Sequence, residues 1–150
     1  MSIDTLLEPY DEDFPTFIEA GFMAVNQKDE VNAKRCFEAA RLLRKESAAP
    51  IIGLGYIALN KLEVKKAVEY FEQATKMDPE NTLAKAFLGV AYLLVEKKRA
   101  EGERLIKEAK EASDDPTIAN LEDISLEWAE KDLSKKGRST PFFEGEKGKS

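Results

Sequence analysis

Glycine recurs at Gly21, Gly55 and Gly89, 34 residues apart each time. Ala33 and Ala67, Phe37 and Phe71, and Ala40 and Ala74 keep the same interval. A recurrence this regular means that one supersecondary unit is copied along the chain, each copy burying its apolar side against the next. The pattern inside a unit is helical. Phe17, Ala20, Gly21 and Ala24 share one face, Ala33, Cys36, Phe37 and Ala40 share another, and no stretch alternates as a strand would. The polar run NQKDEVN between these faces is short enough for a tight connection between antiparallel helices.

Glycine inside a helix costs roughly 1 kcal/mol relative to alanine, so three at equivalent points imply a shared gain. A 34-residue helical unit resembles the tetratricopeptide repeat, and that resemblance implies such a gain, a close crossing of the two helices of a pair with Gly21 opposite Ala33 and Ala40 and Gly55 opposite Ala67 and Ala74. The stretch IIGLGYIALN, residues 51–60, also invites a phosphate-loop reading. It has no third glycine at the dinucleotide spacing, no Gly-Lys-Ser/Thr and no β-rich run before it. Gly53 has no glycine partner at its own repeat positions, which hold Glu19 and Phe87. It is expected to point to a partner-binding groove between Ile52 and Tyr56 and to leave a notch there for a bulky partner side chain or a close helix approach.

At 150 residues the chain has room for one domain with a real core. It contains no His and a single Cys36, so zinc sites, Ser-His-Asp triads, Cys-His dyads and an intramolecular disulfide framework are not expected, which removes a large share of ordinary enzymology. No cofactor or metal is expected. The formal charge is −6; residues 131–150 hold six basic and three acidic side chains, net +3, which leaves −9 on residues 1–130. An acidic body repels phosphate backbones, which argues against nucleic acid as a partner. No apolar run approaches the roughly 20 residues of a membrane span, and the start MSIDTLLEPYDEDF lacks the basic and apolar parts of a secretory signal. A cytoplasmic location is expected, with no membrane insertion.

The 34-residue unit resembles the tetratricopeptide repeat. The middle unit matches best, through Ile51, Leu54, Gly55 and Ala58 in its first helix, Ala67, Phe71 and Ala74 in its second, and Pro79 after it. The first unit has Phe17, Ala20, Gly21, Ala24, Ala33, Phe37 and Ala40, with Lys45 in place of the proline. The third keeps Leu88, Gly89 and Tyr92, after which Gly102, Ile106 and Ala109 fit with one extra residue in the connection, and Glu101 and Leu105 without it. The resemblance implies an all-α, right-handed solenoid of three helix pairs, 14–47, 48–81 and 82–113, preceded by an arm, 1–13. In DDPTIANLEDISLEWAEKDLSKKG, Asp115 is placed to cap a helix that Gly137 stops, with Ile118, Leu121, Ile124 and Trp128 as its apolar stripe. It is expected as a capping helix over 114–136, and 137–150 as a disordered tail.

In that arrangement the first helix of each pair lines a concave groove. The lining is Ile18, Phe22 and Val25 from the first unit, Ile52, Gly53, Tyr56 and Leu59 from the second, and Leu83, Phe87, Val90 and Leu93 from the third, with Ala86 and Leu94 beside them. The best-known tetratricopeptide adaptors hold a terminal carboxylate with Lys, Asn and Arg here; Ile18, Phe22, Gly53, Leu83 and Phe87 occupy the matching positions, so that clamp is absent. An apolar groove suits the apolar side of an amphipathic helix. Three alternatives remain open: Leu83 and Val90 serve as contacts between units, the arm with Leu6, Leu7 and Tyr10 fills the groove, or two copies dimerise through it.

Other features have plainer readings. Asp11-Glu12-Asp13 and Asp114-Asp115 precede helices, where acids cap and oppose the macrodipole. Cys36 reads as a small core residue, and Lys97, Lys98 and Arg99 as a solvated connection. No catalytic residues are expected. In size, repeat number and groove character the chain resembles the tetratricopeptide-type chaperones of type III secretion. IIGLGYIAL is similar to a Gly-Leu-Gly stretch of the translocator chaperones, whereas NTLAKAFLGVAYLL lacks their proline-rich start. The needle-subunit type is therefore favoured, which implies a small helical partner and a second small helical co-chaperone. A generic scaffold subunit of a larger assembly is the alternative.

Overall fold

The computed structural model describes residues 3–116 and 118. Among them every regular element is helical, and no helix is long and apolar enough to cross a membrane. A short helix α1 (Ile3–Leu7) and a 3₁₀ stretch (Glu8–Asp13) lead into α2 (Phe14–Asn26) and α3 (Glu30–Leu43). Then follow α4 (Ala49–Asn60), α5 (Val64–Met77), α6 (Thr82–Leu93) and α7 (Arg99–Ala112). The closest packing is within α2 and α3, α4 and α5, and α6 and α7; each pair meets the next through α3 with α4 and α5 with α6. The first helices also touch directly, α2 with α4 and α4 with α6.

Local chemistry sets the boundaries. Pro15 and Pro50 stand in the first turns of α2 and α4, where a missing N–H costs nothing. The Asp29 carboxylate accepts from the Asn32 N–H at 3.2 Å, and the Asn81 side-chain oxygen from the Ala84 N–H at 3.0 Å, so α3 and α6 have capped starts. Asp13 makes no such bond at the start of α2, contrary to the role expected for the acidic run before it. Asp11 pairs instead with Arg44 at 3.0 Å, and the Arg44 guanidinium lies 4.4 Å from the centre of the Phe14 ring. That contact fastens the N-terminal segment to the end of α3. Leu7 and Thr5 share a cavity there with Leu42 and Leu43, while Ile3, Leu6 and Tyr10 stay exposed. The N-terminal arm therefore lies along α3 instead of filling a groove.

The first two pairs turn by the same device. Three residues separate the helices, and the middle one is left-handed: Lys28 at φ 63° and Leu62 at φ 59°, again 34 apart. An L-residue in this region costs roughly 1–2 kcal/mol. Lys28 is exposed. Lys28→Gly should therefore raise stability by about 0.5 kcal/mol once the looser unfolded chain is allowed for, a gain of about 1–2 °C readable by thermal circular dichroism.

The third turn is different. Five residues, Leu94 to Lys98, separate α6 from α7, and Glu96–Lys98 form a 3₁₀ turn. Gly102, Ile106 and Ala109 are buried on α7 while Glu101 is exposed and Leu105 is half-buried, so the reading with one extra residue is the one the fold adopts. The Lys98 ammonium sits 4.6 Å from the centre of the Tyr92 ring, and Arg99 pairs with Glu103 at 3.5 Å, so this basic run is only partly a solvated loop. The capping helix expected over 114–136 and the tail beyond it lie outside the described residues, apart from its first positions. Of these, Pro116 and Ile118 are helical, and Ile118 is buried beside Ala86, Ala109 and Leu83.

Candidate protein-binding face

The glycines explain how the first helices come together. A Cβ on Gly21 would stand 2.6 Å from the Phe37 ring, and one on Gly55 2.5 Å from the Phe71 ring. Each glycine thus accommodates the aromatic side chain of the second helix, rather than the alanines at 33, 40, 67 and 74. In the third pair, where Ile106 replaces the phenylalanine, Gly89 and Gly102 bring the two backbones together, with a Cβ on Gly102 only 2.6 Å from the Gly89 carbonyl oxygen.

Gly53 overturns its expected role. A Cβ there would lie 2.3 Å from the Phe37 ring, closer than at any other described glycine. Gly53 therefore faces backward into the preceding pair, and leaves no notch for a partner. Phe37 is wedged between Gly21 of its own pair and Gly53 of the next, with Phe22 edge-on at 5.0 Å. Phe87, at the repeat position equivalent to Gly53, solves the second junction in the opposite way by stacking its own ring on Phe71 at 5.3 Å and 10°. One junction closes by removing a side chain, the other by adding one.

These contacts join into a continuous aromatic row. Phe22 lies 5.6 Å from Tyr56, and Tyr56 5.3 Å from Phe87, so the row runs from α2 through α4 to α6. Ring spacings of this size belong to attractive edge and offset geometries. Burial pushes the Tyr56 phenol up from its usual range. Tyr92, on the other side of α6, donates to the Glu72 carboxylate at 3.0 Å; burial first and then that carboxylate push its phenol up to about 12.

The residues expected to line an open groove divide into two groups. Val25, Ile52, Leu59, Phe87, Val90 and Leu93 are each less than 5% exposed and belong to the main core. Their expected availability to a partner is corrected accordingly: α4 and α6 are each enclosed by their own second helix, by the second helix of the preceding pair and by the neighbouring first helices, and these side chains are taken up in those contacts. Ile18, Phe22, Tyr56 and Leu83 pack against the core but remain partly exposed. Asn60, at the end of α4, was not among the expected site residues. It is the one buried polar side chain among the described residues, and its amide nitrogen donates to the Tyr56 carbonyl oxygen at 2.8 Å. Its sequence signal was weak, because the equivalent positions hold Asn26 and Leu94. Among the described residues no group of acidic or cysteine side chains is arranged to hold a metal ion.

No protein-family model matches the chain, and no curated protein matches it.

Proposed function

We propose that the chain is a non-enzymatic protein-binding module of the tetratricopeptide type, a right-handed stack of three helix pairs and a closing C-terminal helix. It takes the apolar side of a partner's helix on the face formed by α2, α4 and α6. The observation that carries this reading is the row Phe22, Tyr56, Phe87, which crosses all three pairs and keeps Phe22 and Tyr56 partly exposed. Flanked by Ile18 and Leu83, that strip offers the spaced apolar anchors that helix-in-groove recognition uses. The contact area is smaller than eleven free side chains would give. In its narrower form the proposal is a cytoplasmic type III secretion chaperone that keeps a needle subunit soluble, together with a second small helical co-chaperone. Chain size and the number of pairs support a secretion chaperone as fold-level arguments, and the lack of a proline-rich start in NTLAKAFLGVAYLL favours a needle subunit over the translocator client that the Gly-Leu-Gly stretch alone would suggest.

The deep burial of Val25, Ile52, Leu59, Val90 and Leu93 favours a second reading, a scaffold subunit of a larger assembly. A row already committed to the core leaves less surface for an exchanging client. Co-purification from the native cell separates the two. The chaperone reading expects one small helical protein at equal stoichiometry, with recovery reduced at least about tenfold by Ile18→Asp or Tyr56→Asp. Circular dichroism verifies that each variant is folded. Full retention of the partner by both folded variants refutes the site, and recovery of several larger chains favours the scaffold.

A further inference from the structure

The outward face of α3 carries a feature that the repeat does not require. Ala33, Phe37 and Ala40 point inward and are fully buried. On the opposite side Val31, Arg35, Glu38 and Leu42 follow at intervals of four, three and four residues, which aligns them in one stripe. Val31 is 64% exposed, and Leu42, which on one side borders the cavity shared with the N-terminal arm, is still 50% exposed; with Lys34 and Ala39 the stripe borders a shallow concavity of about 740 Å³. On α5 the equivalent positions hold Lys65, Glu69, Glu72 and Lys76, and on α7 Ala100, Arg104, Lys107 and Glu111. Large apolar side chains at the two ends of this stripe are therefore peculiar to α3. No ion pair within the described residues engages Arg35 or Glu38, whereas Glu30 at the start of the same helix pairs with Lys61 and α7 carries pairs along its own face.

The order of the stripe, apolar, cation, anion, apolar, is self-complementary: reversed, it sets apolar against apolar and cation against anion. Val31 and Leu42 lie equally far from a midpoint between Cys36 and Phe37, and so do Arg35 and Glu38. Two copies of α3 crossing antiparallel about a two-fold axis at that midpoint bring Val31 level with the partner's Leu42 and Arg35 level with the partner's Glu38. Both contacts occur twice, as an isologous interface demands. A parallel arrangement would instead set Arg35 against Arg35 and Glu38 against Glu38, so the charges select the antiparallel one. The apolar ends stand about 16 Å apart along the helix, with the ion pairs between them. We propose that the chain forms a homodimer through the outward faces of two antiparallel α3 helices, closed by Val31–Leu42 contacts and reciprocal Arg35–Glu38 pairs. This face is separate from the strip on α2, α4 and α6, so either assignment stands without the other.

Charge exchange tests it on the full chain by sedimentation velocity and light scattering. Arg35→Glu places like charges opposite each other at both pairs and should weaken dimerisation at least about tenfold; Glu38→Arg should do the same. Combining the two in one chain should restore the wild-type constant to within about threefold. The decisive experiment mixes the two single variants, one carrying two acids and the other two bases at these positions. Each alone is expected to be monomeric, and the mixture to form a one-to-one heterodimer by native mass spectrometry. A wild-type chain that stays monomeric at a few hundred micromolar overturns the proposal. So does a dimer that either single variant leaves intact, or a mixture that fails to pair. In those cases the stripe is left to a different protein or to solvent.

Discussion

Phe37→Ala is expected to lower the unfolding free energy by about 4 kcal/mol, a large fraction of the stability of a domain this size. The ring is fully buried and serves two junctions at once. It fills the space above Gly21 within its own pair and the space above Gly53 in the next, and it receives the edge of Phe22. Removing it leaves a cavity bordered by two glycines, which have no side chains to move in, so relaxation is poor and the cost sits at the upper end of the usual range. Phe71→Ala offers a control. Phe71 is equally buried and covers Gly55, but its second junction is made by stacking on the Phe87 ring, which can shift to fill part of the gap. Urea unfolding followed by circular dichroism should show the Phe37 variant as the less stable of the two; equal losses would mean that the Gly53 junction adds nothing.

Gly53→Ala should destabilise by about 2 kcal/mol, although alanine is the better helix former by about 1 kcal/mol. Three atoms of the Phe37 ring lie within 2.5 Å of the added Cβ, and that ring is confined on its other side by α2. For an open groove position the opposite sign applies, since the substitution would then bring only the gain in helix propensity. A melting temperature lower by roughly 5–10 °C is expected, and an unchanged or higher one would refute the packing role. Coupling provides an internal check. Phe37→Leu combined with Gly53→Ala should lose less than the two separate losses added together, because the smaller side chain releases the space that the methyl group needs.

Much of the helical organisation was legible, because it rests on spacing. The interval of 34 residues and the 3.6-residue periodicity place α2 to α7 without any contact being known, since the first is a property of the repeated unit along the chain and the second of each helix by itself. What was not legible depends on direction and on what stands opposite. At Gly53 the sequence tells only that a side chain is missing; whether the absence serves a partner or a neighbouring ring depends on the rotation of α4 against α3. The same holds for Val25, Ile52, Leu59, Val90 and Leu93, whose apolar character fits an open groove and a closed core equally well. Phe37 matched the repeat as a residue of its own pair, and nothing in the pattern marked its contact with the next. Asp11 shows the limit for charges: its position before a helix suggested capping, while Arg44, 33 residues away, had the better geometry.

The five-residue turn Leu94 to Lys98 has a consequence beyond the shape of the surface. Each residue added or removed ahead of a helix rotates everything after it by about 100° relative to its partner. With the turn shortened by one, α7 would offer Glu103, Lys107 and Lys110 to α6 in place of Gly102, Ile106 and Ala109, and three charged side chains would be driven toward the core. The number of residues in this exposed connection thus acts as a phase setting for the last pair. A one-residue deletion here is a change of the buried face, even though no buried residue is touched.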